Sequence, residues 1–380
     1  MDPTGTALIQ PLLVPGLAVL DFCGSQHDAT LAPFLQVCPS RCPGLKTARF
    51  HVLVEERSGL IDIISGALRS FKDLESLTVG GFANGLVNDG ALEHLLMSPQ
   101  FQELSLSIRS YQLRNFCPLP SDIPLRNIKN LVLRIDDLSR FTGFFRPGKQ
   151  SFGEIALDFE RLEYAAPIAS LLTGLASHPR KSTLRKLSLR NTSSLSRLED
   201  NFHLNDSKLF VLSFATLQPL ACHTNLRKLI VVVKNPISLD DEELTDLARN
   251  WPLLEILDVS YTCPPPRYAK QITFNGLLSL VSTCPELRQV VLTLDGRQVP
   301  IGTAGGSKAI TTFRFPNSPI NQARLVAMFL WSHFPDTCLT TDPTDEVFGR
   351  NRHAQEWLKV HEYLLDLRKL ESTESGVENS

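Results

Sequence analysis

Eleven short segments of this chain share one pattern, apolar-x-x-apolar-x-apolar. They begin at Leu17 (LAVLDF), Leu45 (LKTARF), Leu74 (LESLTV), Phe101 (FQELSL), Ile128 (IKNLVL) and Phe152 (FGEIAL). The series continues at Leu184 (LRKLSL), Leu226 (LRKLIV), Leu254 (LEILDV), Leu287 (LRQVVL) and Ile310 (ITTFRF). By subtraction, successive starts lie 28, 29, 27, 27, 24, 32, 42, 28, 33 and 23 residues apart. The second half of each segment alternates apolar and polar residues, the period of a strand with one buried face.

Between segments the apolar spacing often turns helical. Leu60, Ile63, Ile64, Ala67 and Leu68 form one stripe, and Leu92, Leu95 and Leu96 a second. Ala169, Leu172, Leu175 and Ala176 form a third, followed by Leu244, Leu247 and Ala248, then Leu277, Leu280 and Val281. Proline punctuates these helices at Pro39, Pro99, Pro179, Pro252, Pro285 and Pro335, because it cannot continue a helix. The acidic run Ser238–Glu243 reads as a helix start, with Ser238 and Asp241 at capping-box spacing.

One strand and one helix cannot bury their apolar faces alone, but stacked copies can. The expected fold is therefore α/β, a leucine-rich-repeat solenoid (horseshoe) with a parallel sheet on the concave side and helices on the convex side. Residues 1–16 are expected as a lead-in, 17–335 as the irregular solenoid of about eleven rungs, 336–370 as a C-terminal capping helix and 371–380 as a disordered tail. Two connections exceed a plain repeat, the polar 191–206 and the Gly-rich 295–307, and both are expected to loop out.

Chemistry is hard to place on this frame. Cys38 and Cys42, with His27 upstream, lack the second ligand pair of a structural zinc site. Cys222 and His223 are adjacent, and neighbouring residues seldom form an activated pair. Gly305-Gly306-Ser307-Lys308 lacks the spaced first glycine of a phosphate loop. No catalytic residue, metal or cofactor is expected. The formal net charge of −2 argues against a sequence-independent grip on nucleic acid. Apolar runs fall short of the ~18 residues that a membrane span needs. Eight scattered cysteines in mostly apolar contexts, without a signal-peptide pattern, suggest reduced thiols and an intracellular (cytoplasmic or nuclear) site.

What remains is surface. The third, fifth and seventh residues of each segment face away from the core. On that concave face the expected partner-binding residues are Arg49, Arg134, Glu154, Asp158, Lys186, Arg190, Lys228 and Asp258, with an apolar strip of Ile230, Val232, Ile256 and Val291. Charges on neighbouring strands, about 4.8 Å apart, can form simple surface ion pairs worth ~0–1 kcal/mol each. Lys186, Arg190 and Lys228 can equally be offered to an acidic or phosphorylated segment.

The rungs CPGLKTARF (Cys42–Phe50), WPLLEILDV (Trp251–Val259) and CPELRQVVL (Cys284–Leu292) resemble those of F-box/leucine-rich-repeat proteins of the fungal type. The resemblance covers roughly Leu17 to Pro335. It implies a protein-binding module, the substrate-recognition part of an SCF-type ubiquitin ligase adaptor. In that family an N-terminal F-box docks a Skp-family adaptor. No F-box is recognisable in residues 1–16, so the adaptor is expected only if one lies upstream. The alternative is a stand-alone scaffold unconnected to ubiquitination.

Overall fold

The computed structural model describes residues 13–25, 31–53, 58–80, 87–108, 128–139, 152–177, 183–192, 207–261, 266, 268–301, 306–307, 309–340 and 352–377. They fall into two compact units. The first carries strands β1 (Val19–Ser25), β2 (Thr47–Leu53), β3 (Ser76–Gly80), β4 (Glu103–Ile108), β5 (Asn130–Ile135) and β6 (Glu154–Phe159). It also holds helices α1 (Leu31–Arg41), α2 (Ser58–Ser70) and α3 (Asp89–Met97), while α4 (Ala165–Ala176) is divided between the units.

The second unit carries β7 (Lys186–Asn191), β8 (Leu212–Ser213), β9 (Lys228–Val233), β10 (Ile237–Ser238), β11 (Ile256–Tyr261), β12 (Gln289–Leu292), β13 (Thr312–Arg314) and β14 (Cys338–Leu339). Its helices are α5 (Ser207–Phe210), α6 (Phe214–Leu217), α7 (Asp241–Ala248), α8 (Phe274–Thr283), α9 (Ala323–His333) and α10 (Arg352–Val377), with a 3-10 turn at Gln218–Cys222.

Within the first unit β1 to β6 pair in sequence order, all parallel. Within the second the order is β7-β9-β11-β12-β13-β14, again parallel. Parallel neighbours joined through helices make this the α/β architecture of a leucine-rich-repeat fold. Each of the eleven apolar segments places a strand that begins two residues after its first apolar residue.

The rungs share one hydrogen-bonding device. At every junction within a unit except the last, where Thr311 O takes Cys338 N alone, a single carbonyl accepts from two successive N–H groups of the next rung. Lys46 O takes Glu75 N (2.8 Å) and Ser76 N (3.0 Å), and Arg227 O takes Glu255 N (2.7 Å) and Ile256 N (3.0 Å). Ala18, Glu75, Gln102 and Lys129 do the same in the first unit, and Arg185, Glu255 and Arg288 in the second. The shared acceptor fixes the register of each strand it precedes.

Register then stacks the core. Leu77, Leu104, Leu131 and Ile155 lie side by side on successive strands, as do Leu187, Leu229, Leu257 and Val290. All are buried to 2% exposure or less. The helices seal the same face with Ile64 and Leu68, Leu92 and Leu95, Leu244 and Leu247, and Leu277 and Leu280, all buried.

Pro99, Pro252, Pro285 and Pro335 follow their helices and precede the next strand, as expected. Pro43, Pro99, Pro252, Pro285 and Pro335 each occupy the second position of a turn. In it the N–H two residues after the proline bonds the carbonyl of the residue before it, as in Leu254 N to Trp251 O at 3.1 Å. Buried Cys42, Trp251, Cys284 and Phe334 anchor four of these turns. Pro39 differs from expectation, since it lies inside α1. The capping box of α7 is also shifted. Asp240 accepts from Glu243 N (2.9 Å) and Glu243 accepts from Asp240 N (3.2 Å), while Ser238 accepts from Lys270 N (2.9 Å).

Long connections carry structure of their own. Residues 193–206 of the polar insertion lie outside the described residues. Between that insertion and β9 the chain forms α5, α6, the 3-10 turn and β8, which pairs in parallel with β10. The Gly-rich connection is pinned at both ends. Asp295 and Gly296 bridge Thr273 and Ile320, and Ser307 N bonds His333 O at 3.2 Å. Helix α10 packs on α9. Trp357, Val360 and Leu364 are buried at helical spacing, and the Trp357 indole N–H donates to Ser318 O at 2.7 Å.

Candidate functional site

Every rung turns its alternate strand residues away from the helices, and these form the open face of each unit. The burial pattern shows it, with Leu229, Val231 and Val233 buried while Lys228, Ile230 and Val232 between them are half-buried. All twelve expected partner-binding residues occupy such positions.

In the first unit the open face is largely self-satisfied. Asp21 lies 3.7 Å from Arg49, and Arg134 lies 4.0 Å from Asp158. Glu103, not among the residues expected from sequence, spans three strands. It accepts from Ser76 Oγ at 3.0 Å and from Asn130 Nδ2 at 2.9 Å. Glu154 is exposed at the end of this row. Acids outnumber bases here, with Asp21, Glu103, Glu154 and Asp158 against Arg49 and Arg134.

The second unit reverses the balance. Lys186 sits directly opposite Lys228, and Lys228 opposite Ile256. One step along the strands, Ser188, Ile230, Asp258, Val291 and Arg314 form a continuous row. The next step brings Arg190 beside Val232 and Val232 beside Ser260. Among the described residues of this unit's open face, Lys186, Arg190, Lys228 and Arg314 outnumber the acid Asp258. Ser260 Oγ donates to that carboxylate at 2.9 Å. Burial pushes its pKa up from the ordinary value, against the Ser260 hydroxyl and the nearby Arg190 and Arg314 charges.

The apolar strip is only partly open. Ile230, Val232 and Ile256 are half-buried, whereas Val291 is 4% exposed. Arg314 was not expected on this face, although it holds the fifth position of the last segment, ITTFRF. The edge cations Arg185 and Arg227 were not expected either. They hold the second position of their segments, outside the third, fifth and seventh that alternation assigns to the open face.

The buried Cys38 thiol is pushed up to about 12, first by burial and then by Cys42 beside it. The Cys222 thiol donates to Pro219 O at 3.2 Å, and His223 is buried. His27 and Gly305 lie outside the described residues. Among the described residues no group of three or more His, Cys, Asp or Glu could hold a metal ion, and no helix is long and apolar enough to cross a membrane.

No protein-family model matches this chain, and no curated protein does. The chain is similar in fold to one in the crystal structure of the Rad7 and Elc1 complex in yeast. The TM-score is 0.43 and the identity 14%, over 86% of this chain and 69% of that one.

Proposed function

We propose that this chain is a protein-binding module without chemistry of its own, the substrate-recognition part of an SCF-type ubiquitin ligase adaptor. The observation that carries the binding role is the open face of the second unit. There, cations and half-buried aliphatic side chains stand in register on hydrogen-bonded strands. A face of that kind is rigid before binding, so little ordering entropy opposes association. Arg49, Arg134, Glu154 and Asp158 on the first unit and Lys186, Arg190, Lys228, Ile230, Val232, Ile256, Asp258 and Val291 on the second mark the faces that a partner would cover. The resemblance of the rungs at Cys42, Trp251 and Cys284 to those of F-box proteins supports the ligase setting, with a Skp-family adaptor as second partner and the cytoplasm or nucleus as the compartment. On the same reading 17–335 is the solenoid and α10 caps its last rung.

Affinity purification of the tagged full chain with mass spectrometry, alongside pull-down of a Skp-family adaptor, tests this. A protein partner together with the adaptor supports the whole proposal. A partner without the adaptor reduces it to a stand-alone scaffold. Turnover of a small substrate, abolished by one point substitution, overturns it.

A further inference from the structure

Two neighbouring rungs of the second unit carry the same tetrapeptide, Leu-Arg-Lys-Leu, at 184–187 and 226–229. The register sets Lys186 against Lys228 and Leu187 against Leu229. The Arg185 carbonyl receives the N–H groups of Arg227 (2.8 Å) and Lys228 (3.0 Å), so the two arginines are abreast as well. Two lysines of the open face thus adjoin two exposed arginines at its edge. Arg227 meets Glu255 at 2.5 Å, while Arg185 and Lys228 have no ion pair among the described residues. Like charges directly opposite one another on paired strands destabilise the sheet. Arg185 and Lys228 leave two positive charges there for an anion to meet.

The corner is not purely ionic. Ile256 continues the Lys186–Lys228 row on β11, and Ile230 stands two residues along β9 from Lys228. Both are half-buried, offering an aliphatic step beside the charges. We infer that this corner docks an acidic, Asp/Glu-rich extended segment of a partner protein. Its carboxylates reach Arg185, Lys186 and Lys228, and an aliphatic side chain rests on Ile230 and Ile256. This deepens the proposed function and rests on it. The aliphatic step disfavours nucleic acid, which seeks aromatic platforms for its bases. Arg185 and Lys228 belong to adjacent rungs, and Arg227 between them in the register already meets Glu255. That suits several single carboxylates better than one phosphate.

Fluorescence anisotropy on the full chain tests the assignment. The probe is a fluorescein-labelled peptide of ~12 residues alternating Glu or Asp with Leu. Its controls are a Gln/Asn twin, a phosphoserine peptide and a single-stranded RNA of similar length. The acidic peptide should bind at least ~10-fold tighter than the twin and weaken as salt rises. Lys186→Glu/Lys228→Glu should weaken it at least ~10-fold, while Lys359→Glu/Lys369→Glu, with the same change in net charge, should leave it unaltered. If thermal melting shows the first variant unfolded, Lys186→Gln/Lys228→Gln replaces it, with a loss of ~3-fold or more expected. Equal binding of acidic peptide and twin, binding that survives the substitutions, or tighter binding of RNA or phosphoserine peptide overturns the inference. A purified partner that the Lys186→Glu/Lys228→Glu chain still captures sinks this docking corner alone. A native chain that captures no protein sinks the binding-module reading beneath it.

Discussion

The Asp241 carboxylate accepts both the Thr273 N–H, at 2.7 Å, and the Thr273 hydroxyl, at 2.6 Å. Thr273 is in turn the cap of α8, its hydroxyl oxygen accepting from Asn275 N at 3.1 Å. Asp241 opens α7 one residue after its own cap, Asp240. The first turns of two successive helices are thus tied by one carboxylate, which holds consecutive repeats in step on the helix side.

That tie leaves no room for a side chain at Gly276, where a Cβ would overlap the Asp241 carboxylate. Gly276→Ala should therefore cost about 1–3 kcal/mol through overpacking, despite alanine's better helix propensity. Thr273→Ala removes the cap and the hydroxyl that Asp241 accepts from, and should cost about 1 kcal/mol or more. Urea denaturation of both variants checks this. A stabilised Gly276→Ala chain would mean that the two helices are not held this closely.

The stacked leucines set a larger scale. Leu229 lies between Leu187 and Leu257 in the ladder, and all three are buried. Leu229→Ala should cost about 2–5 kcal/mol, because neighbouring strands tied by backbone bonds cannot collapse into the gap. Lys359→Ala, on the exposed side of α10, should leave the urea midpoint essentially unmoved. A Leu229→Ala loss below about 0.5 kcal/mol, well under the range for a truncated core leucine, would show that this rung is placed wrongly.

Leu229 and Asp241 mark the two ends of what the sequence made legible. Leu229 could be read because burial on a strand has period two, and eleven segments repeat it in one phase. Asp241 could not, because its role depends on a helix 32 residues away in sequence. The last strand, β14, was missed since Asp336 stands where its segment should begin with an apolar residue. The strands β8 and β10 are two residues long, too short for any period to show. On the open face, alternation alone assigned the residues but not their exposure. Val291 is buried although Val232, also on that face, is not. The charged corner was half visible. Lys186 and Lys228 followed from alternation, but their abreast placement needed the register.

Glu163 supplies a pH signature. It is buried, and its Oε1 accepts the Leu138 N–H at 2.7 Å. Burial raises its pKa, as does Asp137 nearby, and these outweigh the lowering by the Leu138 and Ser139 N–H groups and Arg161. The folded state therefore holds this proton more tightly than the unfolded chain, whose value is about 4.3. Its contribution to stability is full below that value and is lost as pH rises through the folded one. Glu163→Gln keeps an acceptor for Leu138 and removes the titration. Thermal midpoints measured upward from pH 4 should decline less for the variant than for the native chain. Parallel profiles would show that Glu163 is as well solvated folded as unfolded.

The thiols should divide by their surroundings. Burial pushes Cys38 up to about 12 and Cys284 up to about 11, and raises Cys42 as well. The Cys284 thiol also lies 3.6 Å from the Trp251 carbonyl oxygen, in the turn of the preceding rung. Thiolate is the reacting species, so both its population and its access are suppressed at these sites. Cys23 and Cys338 are exposed. Iodoacetamide at pH 8, with peptide mapping as the readout, should label Cys23 and Cys338 early, and Cys38, Cys42 and Cys284 only once denaturant opens the repeats. The buried set should appear together within each unit, because a rung that loses its neighbour loses the face it is buried against. Early labelling of Cys284 in the native chain would mean that its turn opens without the rest of its unit, contrary to the stacking that the shared carbonyl acceptors impose.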